Sequence, residues 1–432
     1  MSTDETTTTN EKPVVAKKAS KNKVRFVILT NGQGGARIGA LLAASLPNNP
    51  YMIAINTSDQ DLERTKLPDA QCFKIGGENA DGAGKNRNRA KTYFKKFSST
   101  TADGKKMDAI QTIIGYYEEV FFHPTDQTII ISVFSSDGGT GSGLGPMLTA
   151  SLTNYVNSVK SFHIGNNEFV IDDVTNEVPR PVVIGLTPRC SVASGATNLQ
   201  NTIECFLDIQ RTIDAGIGHF FIADNNLPEG VKYTNTEEFY NIVNARIVAP
   251  FVKFFGVEMN SDIKCMDLQD KINTLRMSGC SAFTTVTNVN QFNFAVPKGQ
   301  SVLRTVQMLR HDVEDLTAEE NAAKALVKKL DIMSVDTTSV FFNVADSGIT
   351  TDKVAQDLIS ASMIGFFGFK SLNAIVEDLR DNLHRTQVAN DKKYNVVQEH
   401  STGFTSVKSD AEELADKFGS KTMDQSSLLD LF

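Results

Sequence analysis

Asp137, Gly138, Gly139, Thr140, Gly141, Ser142 and Gly143 form the stretch of this chain best suited to chemistry. Ahead of it, the apolar run 128–134 reads as a buried strand. Behind it, Leu144, Leu148, Leu152, Tyr155 and Val156 share one helical face. Strand, glycine loop and helix start together aim bare backbone N–H groups and the positive end of a helix dipole at one point, which suits a phosphate. Four glycines admit close approach, and Thr140 and Ser142 add hydroxyl donors. A glycine cluster alone is a flexible loop with a helix cap; the strand–helix junction here decides for phosphate. No G-K-[ST] follows, so this is not a Walker loop.

A second unit of the same kind stands near the start. Residues 24–29 read as a central buried strand, followed by Asn31, Gly32, Gln33, Gly34 and Gly35, then by a helix with Ile38, Leu41, Leu42 and Leu46 on its apolar side. A strand over 51–55 ends in Asn56, Thr57, Ser58 and Asp59. A further strand over 72–75 leads to a glycine loop with Gly82, Ala83, Gly84, Lys85 and Asn86. Farther on, Tyr240 and Asn244 are four apart and share a helix face, an arrangement that alone is an ordinary polar face. Asp267 and Asp270 stand three apart at a helix start, where the helix dipole by itself would favour them.

The elements that carry these loops alternate. Helices are expected at 88–97, 107–121 and 195–214, with strands at 181–186 and 219–222, the last closing at Asn225 and Asn226. Alternating strands and helices mean a parallel sheet, and ligands of such sheets sit at the carboxyl ends of the strands. All the glycine loops fall at that edge. Residues 161–180 break the pattern and read as an inserted hairpin or excursion. A long helix from about 235 carries Phe239, Val243, Ile247 and Phe251 in one stripe, and Pro250 should kink or divide it. Beyond 258, strands at 282–287, 291–296 and 338–344 are expected to alternate with helices near 267–277, 299–310, 317–330 and 351–360. A helix at 371–389 follows. The expected organisation is an α/β, parallel-sheet, Rossmann-like domain over 24–234, a central helix over 235–257, an α+β domain over 258–370 and a C-terminal helix over 371–390. A tail over 1–23 precedes them, and an acidic tail over 391–432 follows.

Composition narrows the class. The 432 residues, 41% hydrophobic and 22% charged, are those of an ordinary globular protein large enough for two or three cores. Neither a membrane-spanning run nor a signal peptide is visible. Five scattered cysteines and six unclustered histidines offer neither metal-ligand spacing nor a His-centred triad, and the cysteines read as reduced thiols of a cytoplasmic protein. A net charge of −8 argues against a body that coats nucleic acid by itself. The Thr- and Lys-rich residues 1–23 read as a solvated, disordered tail. The closing Leu428, Leu429, Asp430, Leu431 and Phe432 read equally as a short binding motif or a frayed terminus.

In this order, over about residues 24–390, the loops resemble the tubulin/FtsZ superfamily of polymerising GTPases, with details nearest its plasmid and phage branch, TubZ and PhuZ. The resemblance implies GTP/GDP and Mg²⁺ as cofactors. Gly32, Gln33, Gly34 and Gly35 would line the phosphates, and Asp59 would approach Mg²⁺ or the triphosphate. Gly82, Ala83, Gly84 and Asn86 match a loop that senses the γ-phosphate. Gly138, Gly139, Thr140, Gly141, Ser142 and Gly143 would cradle the diphosphate. Asn225 or Asn226 would reach sugar or base, and Tyr240 with Asn244 would hold guanine. Asp267 and Asp270 would enter the pocket of the next subunit and polarise the attacking water, so that hydrolysis needs a head-to-tail filament. The implied role is positioning phage or plasmid DNA or particles in the cytoplasm. Its partners would be further copies of the chain and a DNA-binding adaptor or phage particle at the C-terminal tail, without a membrane. Departures are Asp137 where glycine or alanine is usual, Val192 where a ribose-contacting Glu is usual, Cys265 where Asn precedes the acid pair, and Pro250 in the long helix. These motivate an alternative, a nucleotide-binding scaffold with little hydrolysis. A weaker one, a Rossmann dinucleotide enzyme, rests on Gly32 and Gly34 alone and lacks an acid at the end of the second strand.

Overall fold

The computed structural model describes residues 23–77, 80–191, 194–226, 232–256, 266–286, 298–311, 313–342 and 360–394. Ten strands form one sheet: β1 Val24–Asn31, β2 Tyr51–Asn56, β3 Cys72–Lys74, β6 Gln127–Phe134, β9 Val182–Arg189, β10 His219–Asp224, β11 Gly279–Thr285, β12 Ser301–Arg310, β13 Met333–Phe342 and β14 Met363–Phe369. Their order is β13-β12-β14-β11-β10-β9-β6-β1-β2-β3. From β3 to β11 every neighbouring pair is parallel, and β14 then runs antiparallel to both β11 and β12. Two short antiparallel pairs lie apart: β4 Ser99–Thr100 with β5 Lys106–Met107, and β7 Ser161–Ile164 with β8 Asn167–Val170. The second pair is the hairpin expected within 161–180.

β1 and β6 are buried along most of their length, as their unbroken apolar runs require. Phe26 and Ile28 face one core and Val27 and Leu29 the other, because successive side chains leave a strand on opposite sides. Helices α1 Gly32–Ser45, α6 Ala196–Asp214 and α7 Thr236–Gly256 cover the first face. Helices α3 Arg87–Lys96, α4 Ala109–Phe121 and α5 Thr140–Ser158 cover the second. The short α2 is Asp59–Glu63. Later come α8 Leu268–Leu275, α9 Leu316–Lys329 and the C-terminal α10 Asn373–Tyr394.

Several expectations change. Within 299–310, expected helical, residues 301–310 form β12. Its Val302, Thr305 and Val306 are β-branched, and it lies between β13 and β14 with residues 305–309 buried. Strand β14 lies where the sequence carries no strand expectation. Its run Met363–Phe369 is wholly buried, and Gly365 and Gly368 masked the strand signal. Helix α7 is not divided at Pro250; it continues to Gly256, with Val248, Ala249, Phe251, Val252 and Phe254 all buried around the proline. Both phosphate-loop candidates are themselves first helical turns, since α1 starts at Gly32 and α5 at Thr140. The expectations for 1–22, 291–296, 351–359, Val192, Cys265 and 395–432 lie outside the described residues.

One buried ionic cluster fixes α3 against α6. Asp208 of α6, almost fully buried, receives Lys91 at 2.7 Å, Arg211 at 2.6 Å and Arg87. Arg87 also meets Glu204 at 3.0 Å and donates to the Ser142 carbonyl at 3.2 Å, which brings in the first turn of α5. Burial lowers the Lys91 pKa, against the opposing pull of Asp208. Removing one carboxylate from such a cluster strands cations away from water. Asp208→Ala is expected to cost about 3–5 kcal/mol, read as a lower urea midpoint; an unchanged midpoint would show the cluster to be neutral for stability.

Candidate functional site

A cleft of about 660 Å³ opens at the carboxyl edge of the parallel strands. Leaving out the small pairs, the parallel strands run β3-β2-β1-β6-β9-β10-β11, so the chain order reverses between β1 and β6. That reversal parts the connecting segments and leaves a crevice at the strand ends. Six strands deliver residues to it: Asn31 at the end of β1, Ser58 after β2, Gly82 after β3, Ser135 after β6, Ser191 after β9 and Asn225 after β10.

Backbone packing makes the cleft's floor. Asn31 pairs with Phe134 in the parallel register, so α1 and α5 start side by side. Gly32 has φ +72°, and a Cβ there would stand 3.0 Å from the Gly141 nitrogen and 3.2 Å from Thr140 Cβ. A Cβ on Gly139 would stand 2.9 Å from backbone atoms of Lys85 and Asn86. Only glycine permits both contacts. The Thr57 and Thr140 hydroxyls lie 2.8 Å apart, and the Gly82 amide donates to the Thr57 carbonyl at 2.9 Å. Four loops are thus locked together around two helix N-termini. Such termini carry unsatisfied N–H groups and partial positive charge, which suit an anion.

The far end of the cleft has a different chemistry. Phe239, Tyr240 and Asn244 of α7 line it, with Arg37 of α1. The Arg37 guanidinium carbon is 5.0 Å from the centre of the Tyr240 ring. An aromatic face, an amide and a guanidinium beside it suit a planar heterocycle.

The expected site residues divide as follows. Gly32, Gln33, Gly34, Gly82, Ala83, Gly84, Gly138, Gly139, Thr140, Gly141, Asn225, Tyr240 and Asn244 all line the cleft. The rest stand elsewhere. Gly35 lies beneath, where a Cβ would come 2.4 Å from the Val133 carbonyl oxygen. Asn86 caps α3, its side chain accepting from the Arg89 amide at 3.1 Å. Ser142 and Gly143 are buried in the first turn of α5, and the Ser142 hydroxyl donates to the Gly138 carbonyl. Asn226 donates to Asp224 from its amide at 2.9 Å and from its side chain at 2.7 Å.

Asp59 pairs with Lys74 and is largely exposed, outside the cleft. Helix α2 begins at Asp59 with Ser58 as its cap, and Gln60 and Asp61 face the cleft instead. Asp81 lines it as well. Among the described residues no cluster of three or more His, Cys, Asp or Glu side chains could hold a metal. Asp267 and Asp270 do not line the cleft either. Asp267 is the N-cap of α8, accepting from the Asp270 amide at 2.8 Å, and Arg304 stands 4.0 Å from the Asp270 carboxylate.

Arg37, Ser58, Asp61, Asp81, Lys85 and Ser135 are lining residues that motif reading missed. All but Arg37 stand in segments that follow a strand end, which was the available signal. Arg37 needed the packing of α1 on α7. Asp137 also finds a place: its carboxylate accepts from the Ser135 hydroxyl and from Asn198 Nδ2, the latter at 3.3 Å. Donors already surround the charge that looked out of place. Because Gly35 abuts backbone that cannot retreat, Gly35→Ala is expected to cost about 1–3 kcal/mol. A thermal melt checks this, and a wild-type midpoint would contradict the packing.

No protein-family model matches the chain, and no curated protein matches it in sequence. Solved structures do match in fold. The TubZ of Clostridium botulinum phage c-st, with its C-terminal tail truncated, superposes with a TM-score of 0.57 at 17% identity, covering 85% of this chain and 99% of that one. A GTPγS-form protofilament of Bacillus thuringiensis serovar israelensis TubZ gives 0.58 at 13% identity, covering 87% and 96%. The GDP-bound monomer of CetZ1 from Haloferax volcanii gives 0.55 at 17% identity, covering 84% and 99%. With the strand order and the place of the cleft, this likeness identifies the fold of the chain as that of the tubulin/FtsZ superfamily.

Proposed function

We propose that the chain is a guanine-nucleotide-dependent filament protein that hydrolyses GTP between successive subunits. One observation carries the reading. The cleft holds the features for a nucleotide, with paired helix N-termini at one end and Tyr240, Asn244 and Arg37 at the other, while Asp267 and Asp270 stand outside it. The TubZ and CetZ structures of the same fold include a GTPγS protofilament and a GDP-bound monomer, which supports guanine nucleotide and head-to-tail assembly here.

In this reading the amides of α1 and α5 hold the phosphates, with Gly138, Gly139, Thr140 and Gly141 around them. Tyr240 stacks on guanine, and Asn244 and Asn225 bond its edge or the sugar. Ser191 and Ser194 also line the cleft and supply hydroxyls for a ribose. Magnesium fits as an ion carried mainly by the triphosphate, because Mg²⁺ typically takes one or two carboxylates plus phosphate oxygens. Asp61 and Asp81 are placed for that, and Asn31 Oδ1 is a buried acceptor at the cleft with no partner among the described residues. Bound Mg²⁺ would offset phosphate charge. Asp267 and Asp270 of a neighbouring subunit orient the attacking water.

No helix among the described residues is long and apolar enough to cross a membrane. The cytoplasm, with phage or plasmid DNA or particles as cargo, is the setting we propose. The net charge of −8 supports an adaptor for any DNA contact.

GTP turnover per molecule should rise steeply with protein concentration, since no subunit holds a whole site; flat turnover from dilute to concentrated protein would sink the shared site. Asp267→Asn keeps the cap acceptor on α8 and removes the charge. It should leave GTP affinity intact, slow turnover by about 10²-fold or more, and give long-lived filaments by electron microscopy. Loss of GTP binding in this variant would remove Asp267 from its role. Phosphate release from sedimented polymer distinguishes the reading from a filament that binds nucleotide without hydrolysing it.

A further inference from the structure

Two asparagines on α6 hold the same two residues of the cleft. Asn198 Oδ1 accepts from Lys85 Nζ at 3.3 Å, and its Nδ2 donates to the Asp137 carboxylate at 3.3 Å. Three residues on and on the same face, Asn201 Nδ2 donates to the backbone carbonyls of Lys85 at 2.9 Å, Asp137 at 3.2 Å and Gly138 at 3.4 Å. Asn198 therefore bridges the side chains of Lys85 and Asp137, and Asn201 bridges their backbones beneath. We propose that Asn198 and Asn201 are positioning residues that set the spacing of loop 82–86 from loop 135–139, and through it the preference of the cleft for a nucleoside triphosphate over a diphosphate. This rests on nucleotide binding in the cleft as proposed above.

The physical case begins with strain. Lys85 has φ +60°, and Gly82 and Gly84 have φ +80° and +58°, so this loop is a left-handed run in which a lysine costs about 1–2 kcal/mol. Something must hold it. Gly139 packs against the Lys85 backbone, and the Asn201 amide, only 6% exposed, ties three carbonyls. Two N–H groups shared among three acceptors leave any movement of one loop felt by the other. A carbonyl that loses this donor in a buried place loses about 1–3 kcal/mol, so the loops move together or not at all.

The clasp hangs from a rigid helix. Asp208 anchors α6 to α3, and Gln210 of α6 donates to the Lys370 carbonyl and accepts from the Leu372 amide, each at 2.8 Å. A diphosphate can use the helix N-termini at Gly32 and Thr140 alone. A third phosphate must find room and donors between them and loop 82–86, whose Lys85 ammonium is held at the cleft by a single exposed bond to Asn198. The spacing of the loops therefore acts on the terminal phosphate more than on the other two.

The test uses the full chain at concentrations below assembly, with GTPγS and GDP competing against a fluorescent nucleotide. Asn201→Ala and the isosteric Asn201→Asp both remove the donors. Each should reduce the GTPγS-to-GDP affinity ratio by about tenfold, the equivalent of one buried hydrogen bond, with GDP affinity little changed. The half-buried Asn198→Ala should shift the ratio the same way by less. A lower melting temperature with an unchanged ratio would show a purely structural role and overturn the proposal. Should the Asn201 variants not fold, hydrogen exchange on the wild-type chain decides: residues 196–202 should exchange more slowly with GTPγS than with GDP, and equal rates would overturn it. If neither nucleotide binds the wild type, the proposed function falls with it.

Discussion

The parallel pairing of β1 with β6 is the constraint on which the site depends. The chain enters β1 first, builds β2 and β3 on one side, and returns to lay β6 on the other. At that seam the two connections leave in opposite directions, and the strand ends open on the cleft. The register that sets Asn31 against Phe134 also sets the start of α1 against the start of α5. Two helix N-termini then share one crevice. Electrostatically this is a concentration of unpaired N–H groups that water alone would otherwise satisfy, and it is costly to assemble unless an anion uses it.

The rest of the architecture keeps that seam tight. Both faces of the sheet are covered, so β1 and β6 cannot slide without moving two cores. Glycines at 32 and 139 let three loops touch backbone to backbone, and the hydroxyl pair Thr57–Thr140 joins a fourth. The Asp208 cluster ties α3, α5 and α6 together behind the loops. Arg189 links β9 to Asp224 at 3.1 Å and to Asp378 of α10 at 2.9 Å, so the C-terminal helix reaches the segment that carries Asn225 and Asn226. The same Asp224 pulls Asn226 back from the cleft and leaves Asn225 at its wall.

Where the sequence misled, a long-range partner was involved. Residues 301–310 have enough apolar spacing to imitate a helix, and pairing with β13 on one side and with the antiparallel β14 on the other makes them a strand. Pro250 carries a strong local signal for a break, yet α7 runs through it inside a packed apolar core. The loop reading of 56–61 points to Asp59, but a helix starts there and turns Asp61, two positions on, to the cleft. In each case the local rule was right about the residue and silent about the neighbour.

The sequence by itself determined the alternation of strands and helices, the glycine loops at one sheet edge and the resemblance they carry. These follow from periodicity and from residue types that only particular backbones accept. Tertiary structure alone decided which loop residues face the cleft. Gly35 and Ser142 turn beneath it, Asp59 turns away, and Arg37 joins Tyr240 across two helices. It also decided the meaning of Asp137, which looked like a charge set against phosphate. Its carboxylate is held by Ser135 and Asn198, the latter 61 positions away in the chain. Hydrogen bonds between segments so distant leave no local pattern, because their geometry exists only once the sheet has brought the segments together.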